Sequence, residues 1–339
     1  MQYDFQTLAY AYDRPTTNGQ LKAKNSDFKV DEIMPVQTSG EGEHLWLKIE
    51  KNGSNTDWVA QQLAKHAGLK SMAVSYAGMK DRHAVTTQWF SLHLPGMEDP
   101  DFTGLTSDEF KILEKHRHDR KLKRGALSGN KFKLRITELK DDVAEIEERL
   151  QKIKQFGVPN YYGEQRFGRD MGNLHKAERM FKGELKKLKK QHRGLYLSSA
   201  RSWIFNQLLS QRIQQKTWLE PIQGDVFMLN GKSACFAEDV NDEIRERLGN
   251  AEINLTGCLW GEGESMATAD AFALERSIAD EFKPLAEGLE SARLSQERRA
   301  LRLMPNNLNW EINGDVLEME FDLPTGAFAT MVLRECVNT

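Results

Sequence analysis

Asp81 sits between two cations in the run Ala77-Gly-Met-Lys-Asp-Arg-His-Ala-Val-Thr-Thr-Gln88. Opposite charge nearby favours the ionised form of a carboxyl group, so Lys80 and Arg82 should keep Asp81 charged. An ionised carboxylate on a polar loop is what nucleophilic attack at a sugar carbon requires. Three other segments are hard to explain as core: Lys22-Ala-Lys-Asn-Ser-Asp-Phe28, Arg124-Gly-Ala-Leu-Ser-Gly-Asn-Lys-Phe132 and Leu323-Pro-Thr-Gly-Ala-Phe-Ala-Thr330. The last reads as a turn that delivers Phe328 to a helix start. Taken alone, Lys-Asp-Arg reads as an ordinary hydrophilic turn, because such tripeptides are common.

Other reactive side chains point less clearly. His116 and His118 lie among Arg117, Arg120 and Lys121. Metal binding needs deprotonated imidazoles and further ligands, so cationic neighbours disfavour it, and phosphate contact or plain exposure is expected. Tyr161, Tyr162 and Phe167 surround Glu164-Gln165-Arg166; they read as a stacking platform with a polar clamp or as packing at a domain junction. The three cysteines, Cys235, Cys258 and Cys336, form neither a CxxC pair nor an even set, so idle thiols in a reducing cytoplasm are expected. No P-loop, dinucleotide fingerprint or zinc-ligand spacing appears. Neither a metal nor a cofactor is expected.

The net charge of -3 hides an asymmetry. Residues 111–135 hold ten Lys/Arg against two acids, and residues 176–193 hold eight against two. Residues 238–290 hold fourteen acids against four bases. Clustered bases on an otherwise acidic chain fit a phosphate-bearing partner, although any single run also reads as a solvated face. Lys123 and Arg124 belong to the first run. Hydrophobic residues at 39% supply an ample core, and no apolar run approaches the roughly 20 residues that span a bilayer. Residues 1–10 have neither the basic nor the apolar region of a signal peptide. A cytoplasmic, monomeric protein without a membrane partner is expected.

These loops need elements to position them. Leu45, Leu47 and Ile49 alternate, predicting a strand over 43–50. Lys51-Asn52-Gly53 ends it, and Thr56 is expected to cap a helix through Ala67. Strands are predicted over 72–77, 88–94, 110–113 and 131–139, then an amphipathic helix over 142–156. The stretch 157–304 reads as mainly helical, with helices over 198–216, 267–282 and 298–304 and a hairpin over 226–236 turning at Asn230-Gly231. Strands 308–312 and 316–323 flank Asn313-Gly314, a strong hairpin signal. A helix over 327–337 follows. Strand-rich ends around a helical middle predict an α+β protein. Residues 1–156 and 305–339 would form one split domain, and 157–304 an inserted domain.

Read together, the segments resemble the signature motifs of the tRNA pseudouridine synthase D (TruD) family. Residues 77–88 match the pattern Ala-Gly-x-Lys-Asp-[Lys/Arg]-x-Ala-x-Thr-x-Gln throughout; Val158-Pro-Asn-Tyr-Tyr-Gly-Glu-Gln-Arg-Phe-Gly168 is similar to the second motif and residues 323–330 to the third. One departure is Ala327, where members often carry Ser. The resemblance implies a pseudouridine synthase core, an antiparallel or mixed sheet with helices, split by an α/β domain forming the other arm of an RNA cleft. It implies uridine 13 of certain tRNAs as substrate and Asp81 as the catalytic aspartate. Phe28, Asn130 and Phe328 match base- or site-contacting positions, and Lys22 a basic residue that pairs with the aspartate. Lys80, Arg82, Arg120, Lys121, Lys123, Arg124 and Arg166 are the expected RNA contacts. Two other readings remain at this stage. A tRNA-binding protein without activity would not need Asp81. A carboxylate glycosidase would need a second cooperating acid, and none is evident.

Overall fold

The computed structural model of the chain describes residues 1–35, 37–105, 107–140 and 142–339. In chain order the first elements are β1 (Asn18–Leu21), β2 (Phe28–Ile33), β3 (His44–Asn52), α1 (Thr56–His66), β4 (Val74–Tyr76), β5 (Val85–His93), β6 (Phe110–His118), β7 (Gly129–Lys140) and α2 (Val143–Phe156). The middle of the chain holds β8 (Val158–Pro159), α3 (Gly172–Phe181), α4 (Lys190–Gln214), β9 (Val226–Leu229), β10 (Cys235–Ala237), α5 (Asp242–Gly249), β11 (Ile253–Leu259), α6 (Ala269–Glu281), α7 (Lys283–Ser291), β12 (Glu297–Ala300) and β13 (Arg302–Leu303). β14 (Asn306–Asn313), β15 (Val316–Pro324) and α8 (Ala329–Cys336) follow. This is an α+β protein. Among the described residues no helix is long and apolar enough to cross a membrane.

The chain folds into two compact units. A sheet unit comprises residues 16–147, 305–326 and 337–339; a helical unit comprises 1–15, 148–304 and 327–336. The expected divide at 156/157 and 304/305 differs from this in three places. Residues 1–15 and α8 belong to the helical unit, and the first boundary falls inside α2. The reason is local burial: Tyr3, Phe5 and Leu8 at one end, and Met331 of α8 at the other, enter the apolar core built around α4. Position in the sequence does not reveal such docking.

Among the described residues the sheet unit is built on nine strands in the order β14-β15-β7-β2-β5-β3-β6, with β1 added to β7 and β4 to β5. All its pairings are antiparallel except β2 with β5. Leu45, Leu47 and Ile49 are fully buried and pack with Phe90 and Leu92 against Val59 and Leu63 of α1. Strand alternation and helical spacing thus present matching apolar faces. Thr56 is not the helix cap: Asn55 occupies that position, and the Thr56 hydroxyl donates to Gln88 Oε1 at 2.9 Å.

The helical unit is organised around α4, whose Trp203, Phe205, Leu208 and Leu209 are buried. α4 begins at Lys190, earlier than the predicted 198, and Lys182–Lys189 connect it to α3. The unit contains a four-stranded antiparallel sheet, β10-β9-β11-β12, and a two-stranded one, β13-β8. The predicted helix over 298–304 is therefore wrong. Arg, Ala and Leu suit helices, but here tertiary partners hold the backbone extended. Arg298 pairs with Glu275 at 2.6 Å, Arg299 donates to Asn160, and Arg302 donates to Asn254. β11 escaped prediction because Ile-Asn-Leu-Thr-Gly-Cys-Leu is buried almost throughout and shows no alternation.

Candidate active site

The pleat of β2 turns Phe28, Val30 and Glu32 to one face of the large sheet. The register sets Glu32 beside Asn130 and Asn130 beside Leu323; one step along, Val30 lies beside Phe132 and Phe132 beside Phe321. Directly opposed residues of antiparallel strands share a face, so these side chains form one surface. Phe28 meets Phe132 edge-on at 6.2 Å between centroids, and Phe132 stacks on Phe321 at 5.5 Å.

Asp81, in the loop joining β4 to β5, is tied to this face. Lys22 Nζ lies 2.5 Å from Asp81 Oδ2 and 4.1 Å from the centre of the Phe28 ring. Phe28, expected at a base- or site-contacting position, is buried and forms the seat of the ammonium. Lys22 itself has a φ of +60°, a conformation L residues rarely adopt. The His83 backbone N–H donates to Asp81 Oδ1 at 3.0 Å. Burial pushes the Asp81 carboxyl up, but the Lys22 ammonium and the His83 N–H and ring outweigh it and hold the group below the usual carboxylate range. About a third of the Asp81 side chain remains accessible.

The loop is fastened from below at several points. Lys80 turns inward, its ammonium 2.6 Å from Glu32 Oε1, with both side chains buried. Burial raises the Glu32 carboxyl, against the Lys80 charge and the Trp89 N–H that stabilise its ion. Lys80 N–H donates to Thr56 Oγ1 at 3.1 Å, and Gln88 Nε2 donates to Gly78 O at 3.3 Å. Lys51 Nζ donates to Ser54 O at 2.7 Å and to Asp81 O at 2.9 Å. The flanking cations of Asp81 thus do different work from that expected. Lys80 compensates Glu32, while Arg82 is exposed and donates to Gly53 O at 3.1 Å. Lys22 is the cation that meets the carboxylate.

Asn130 lies one strand from Glu32 on the same face, with its Oδ1 buried and without a hydrogen-bond partner among the described residues. A buried amide oxygen without a donor is costly, and a uracil imino N–H is a donor of the right kind. Phe328 belongs to the helical unit, where its half-buried ring stands 6.1 Å from Tyr162, edge to face. The Arg166 guanidinium lies 5.4 Å from the Tyr162 ring and 5.9 Å from that of Phe328. Gly163 permits this packing, since a Cβ there would meet the Phe328 ring at 3.2 Å. Tyr161 and Phe167, considered for stacking, are core residues.

The basic run 111–135 is largely paired with acids. Lys111 meets Glu50, Arg117 meets Asp99, Lys131 and Lys133 meet Glu320, Arg135 meets Glu318, and Arg120 meets Asp119. Lys121, Lys123 and Arg124 are exposed and form no ion pair among the described residues. His118 is buried against Trp46, which differs from the phosphate contact or plain exposure expected; His116 is exposed. No cluster among the described residues is placed to hold a metal ion.

Comparison with known proteins fixes the family. The family model for tRNA pseudouridine synthase D (TruD) matches residues 4–187 and 169–336. The chain belongs to the tRNA pseudouridine synthase D family. It is similar to the tRNA pseudouridine synthase D of Hydrogenovibrio crunogenus, with 47% identity over 97% of this chain and 95% of that protein. With the tRNA pseudouridine synthase D of Aeromonas hydrophila it shares 46% identity over 98% and 94%. A crystal structure of the putative tRNA pseudouridine synthase D from Methanosarcina mazei superposes with a TM-score of 0.73 over 97% of this chain and 96% of that one, at 22% identity. That likeness shows that the fold is the pseudouridine synthase D fold. Enzymes of the tRNA pseudouridine synthase D family are isomerases.

Lys51 and Glu32, which brace the loop, were missed from the sequence. A signal was present. Lys51 continues the inward series Leu45, Leu47, Ile49, and Glu32 the series Phe28, Val30. An ionisable side chain at an inward strand position marks an internal partner.

Proposed function

We propose that this chain isomerises uridine 13 of tRNA to pseudouridine, with Asp81 as the catalytic carboxylate. The observation that carries the reading is Asp81 itself: a partly accessible carboxylate held ionised by Lys22 at 2.5 Å, on a loop fastened to the sheet. In the reaction the N1–C1′ bond breaks, a C5–C1′ bond forms, C5 gives up a proton and N1 gains one. Composition is unchanged, so the balance calls for no oxidant, reductant or group donor. Asp81 acts either as nucleophile at C1′ or as base in a glycal route; both need it ionised. The detached uracil must be held while it turns. Asn130, with an unpartnered amide oxygen, is the proposed contact to its edge. The base leaves its stack first, and an aromatic side chain replaces about 1–3 kcal/mol of stacking. Phe328, flanked by Tyr162 and Arg166, is the proposed stacking residue of the helical unit. Chemistry is assigned to the sheet unit, and tRNA binding to both units.

Asp81→Asn tests the reading. The exchange keeps shape but removes the charge that meets Lys22, so stability should fall while the protein stays folded, and tRNA binding should persist because many phosphate contacts share it. Turnover, mapped as carbodiimide-dependent reverse-transcription stops, should vanish. Activity near the parent rate would reject Asp81, and modification at another uridine would reject the assigned position.

A further inference from the structure

We infer that Lys51 is a positioning residue for this reaction: a buried ammonium that fixes the Asp81 loop through its backbone and supplies the unmatched positive charge beneath the carboxylate. The inference rests on the catalytic reading of Asp81. Lys51 occupies the fourth inward position of β3, after three apolar residues, and is fully buried. Its two acceptors are both backbone carbonyls, of Ser54 and Asp81. One fixes the turn after β3; the other holds the backbone of the catalytic residue, whose carboxylate Lys22 holds.

The neighbours define its electrostatic setting. β5 places Thr86 beside Lys51, with a buried hydroxyl lacking a partner, and β6 places Phe110 on the other side. The loop contributes Asp81 and Lys80, and beyond them the exposed Arg82 and His83. Lys22 is matched by Asp81 and Lys80 by Glu32, which among the described residues leaves Lys51 as a third ammonium against two carboxylates. An unmatched buried charge is costly, and an apolar residue would suit the site's packing better. The cost shows in the group: burial pushes the ammonium down to about 8, with Asp81 working against that and Lys80 adding to it. What the charge provides lies where the reaction needs it. Breaking N1–C1′ leaves an electron pair on the uracil, and a fixed positive field favours that anion and the ionised Asp81. Above the range in which Lys51 loses its proton, the neutral amine still has two N–H donors for the two carbonyls, but the field is gone.

The experiment measures kcat and KM on unmodified tRNA from pH 6 to 10 for the parent and Lys51→Met, with Asp81→Asn alongside. Lys51→Met should be folded by circular dichroism and bind tRNA within twofold of the parent. Its kcat should fall at least tenfold with KM little changed, and the parent's loss of kcat above about pH 8 should be absent from its profile. A kcat within twofold of the parent, or an alkaline limb that persists in the variant, overturns the inference. If Lys51→Met does not fold, the parent labelled with 13Cε-lysine decides: a displaced lysine resonance must titrate together with the alkaline limb of kcat, and separate midpoints overturn the inference. An active Asp81→Asn would instead show that the catalytic reading had failed, whereas an inactive Asp81→Asn beside a fully active Lys51→Met removes only the role of Lys51.

Discussion

Lys22→Met separates the two forces acting on Asp81. Burial raises this carboxyl, and the ion pair with Lys22 overrides it. With the ammonium gone, burial remains and is opposed more weakly, by the His83 contacts and the more distant charge of Lys51, so ionising Asp81 requires a higher pH. The acid limb of the kcat/KM profile should therefore move upward, and activity at pH 7 should fall less than in Asp81→Asn. An unmoved limb would show that Lys22 does not control the ionisation. The same pairing sets a sign for folding. A carboxyl depressed in the folded state contributes stability that is lost as pH falls through its folded pKa. At this scale the sequence was informative about identity and less so about partners. Asp81 stood out only with its family motif; local charge pointed to the adjacent Lys80 and Arg82, while the family resemblance pointed to Lys22, fifty-nine positions away, which meets the carboxylate. Adjacent strand and loop residues point in different directions, so spacing alone did not reveal that Lys80 turns inward to Glu32.

The C-terminal helix α8 shows how an element is held by charges that its own sequence does not explain. Glu335 is buried; its carboxylate accepts N–H bonds from Ala11 at 3.0 Å and Tyr12 at 3.3 Å and faces Arg334 at 3.2 Å. Arg334 lies 3.5 Å from the Tyr10 ring centre and donates to Ala9 O and Leu8 O. Burial raises the Glu335 carboxyl to about 7, against Arg334, the two N–H groups and Arg149. A group raised in the folded state gives stability that is present below its unfolded pKa and lost as pH rises through its folded one. Between about pH 5 and pH 8 the parent should lose stability that Glu335→Gln retains, a difference of order 2 kcal/mol given ~1.4 kcal/mol per pKa unit. Thermal melts of both proteins at the two pH values check this; parallel shifts would discount Glu335. Elements with one exposed face were legible in the sequence. β3, α1 and the β14–β15 hairpin at Asn313-Gly314 follow from alternation, helical spacing and turn chemistry. β11, buried almost throughout, and β12, anchored through arginines, carry no such periodicity.

Across the whole molecule, the net charge of -3 is a poor guide to RNA affinity, and even the basic run 111–135 overstates it, because many of its cations face acids. Replacing Lys121, Lys123 and Arg124 together by Gln should weaken tRNA binding and flatten its dependence on salt, by about 1 in slope per lost phosphate contact. The same change at Lys131, Lys133 and Arg135 should alter the slope less, since Glu318 and Glu320 already share those charges. Equal slopes for the two triple variants would mean that the ion pairs open on RNA. The division of the chain also has a bearing on how the protein is made. The sheet unit receives β7 early, but β15, which pairs with it from residue 129 to 136, lies beyond the long segment 148–304 of the helical unit. That unit in turn lacks α8 until residues 329–336 exist. On the ribosome neither unit can be completed until the segment after residue 304 has emerged, and throughout synthesis of the middle segment β7 has no strand on one flank. A nascent chain with an open sheet edge is prone to pair with its neighbours on the same message, so the order of translation, and not the finished fold, is where this protein is most exposed to aggregation.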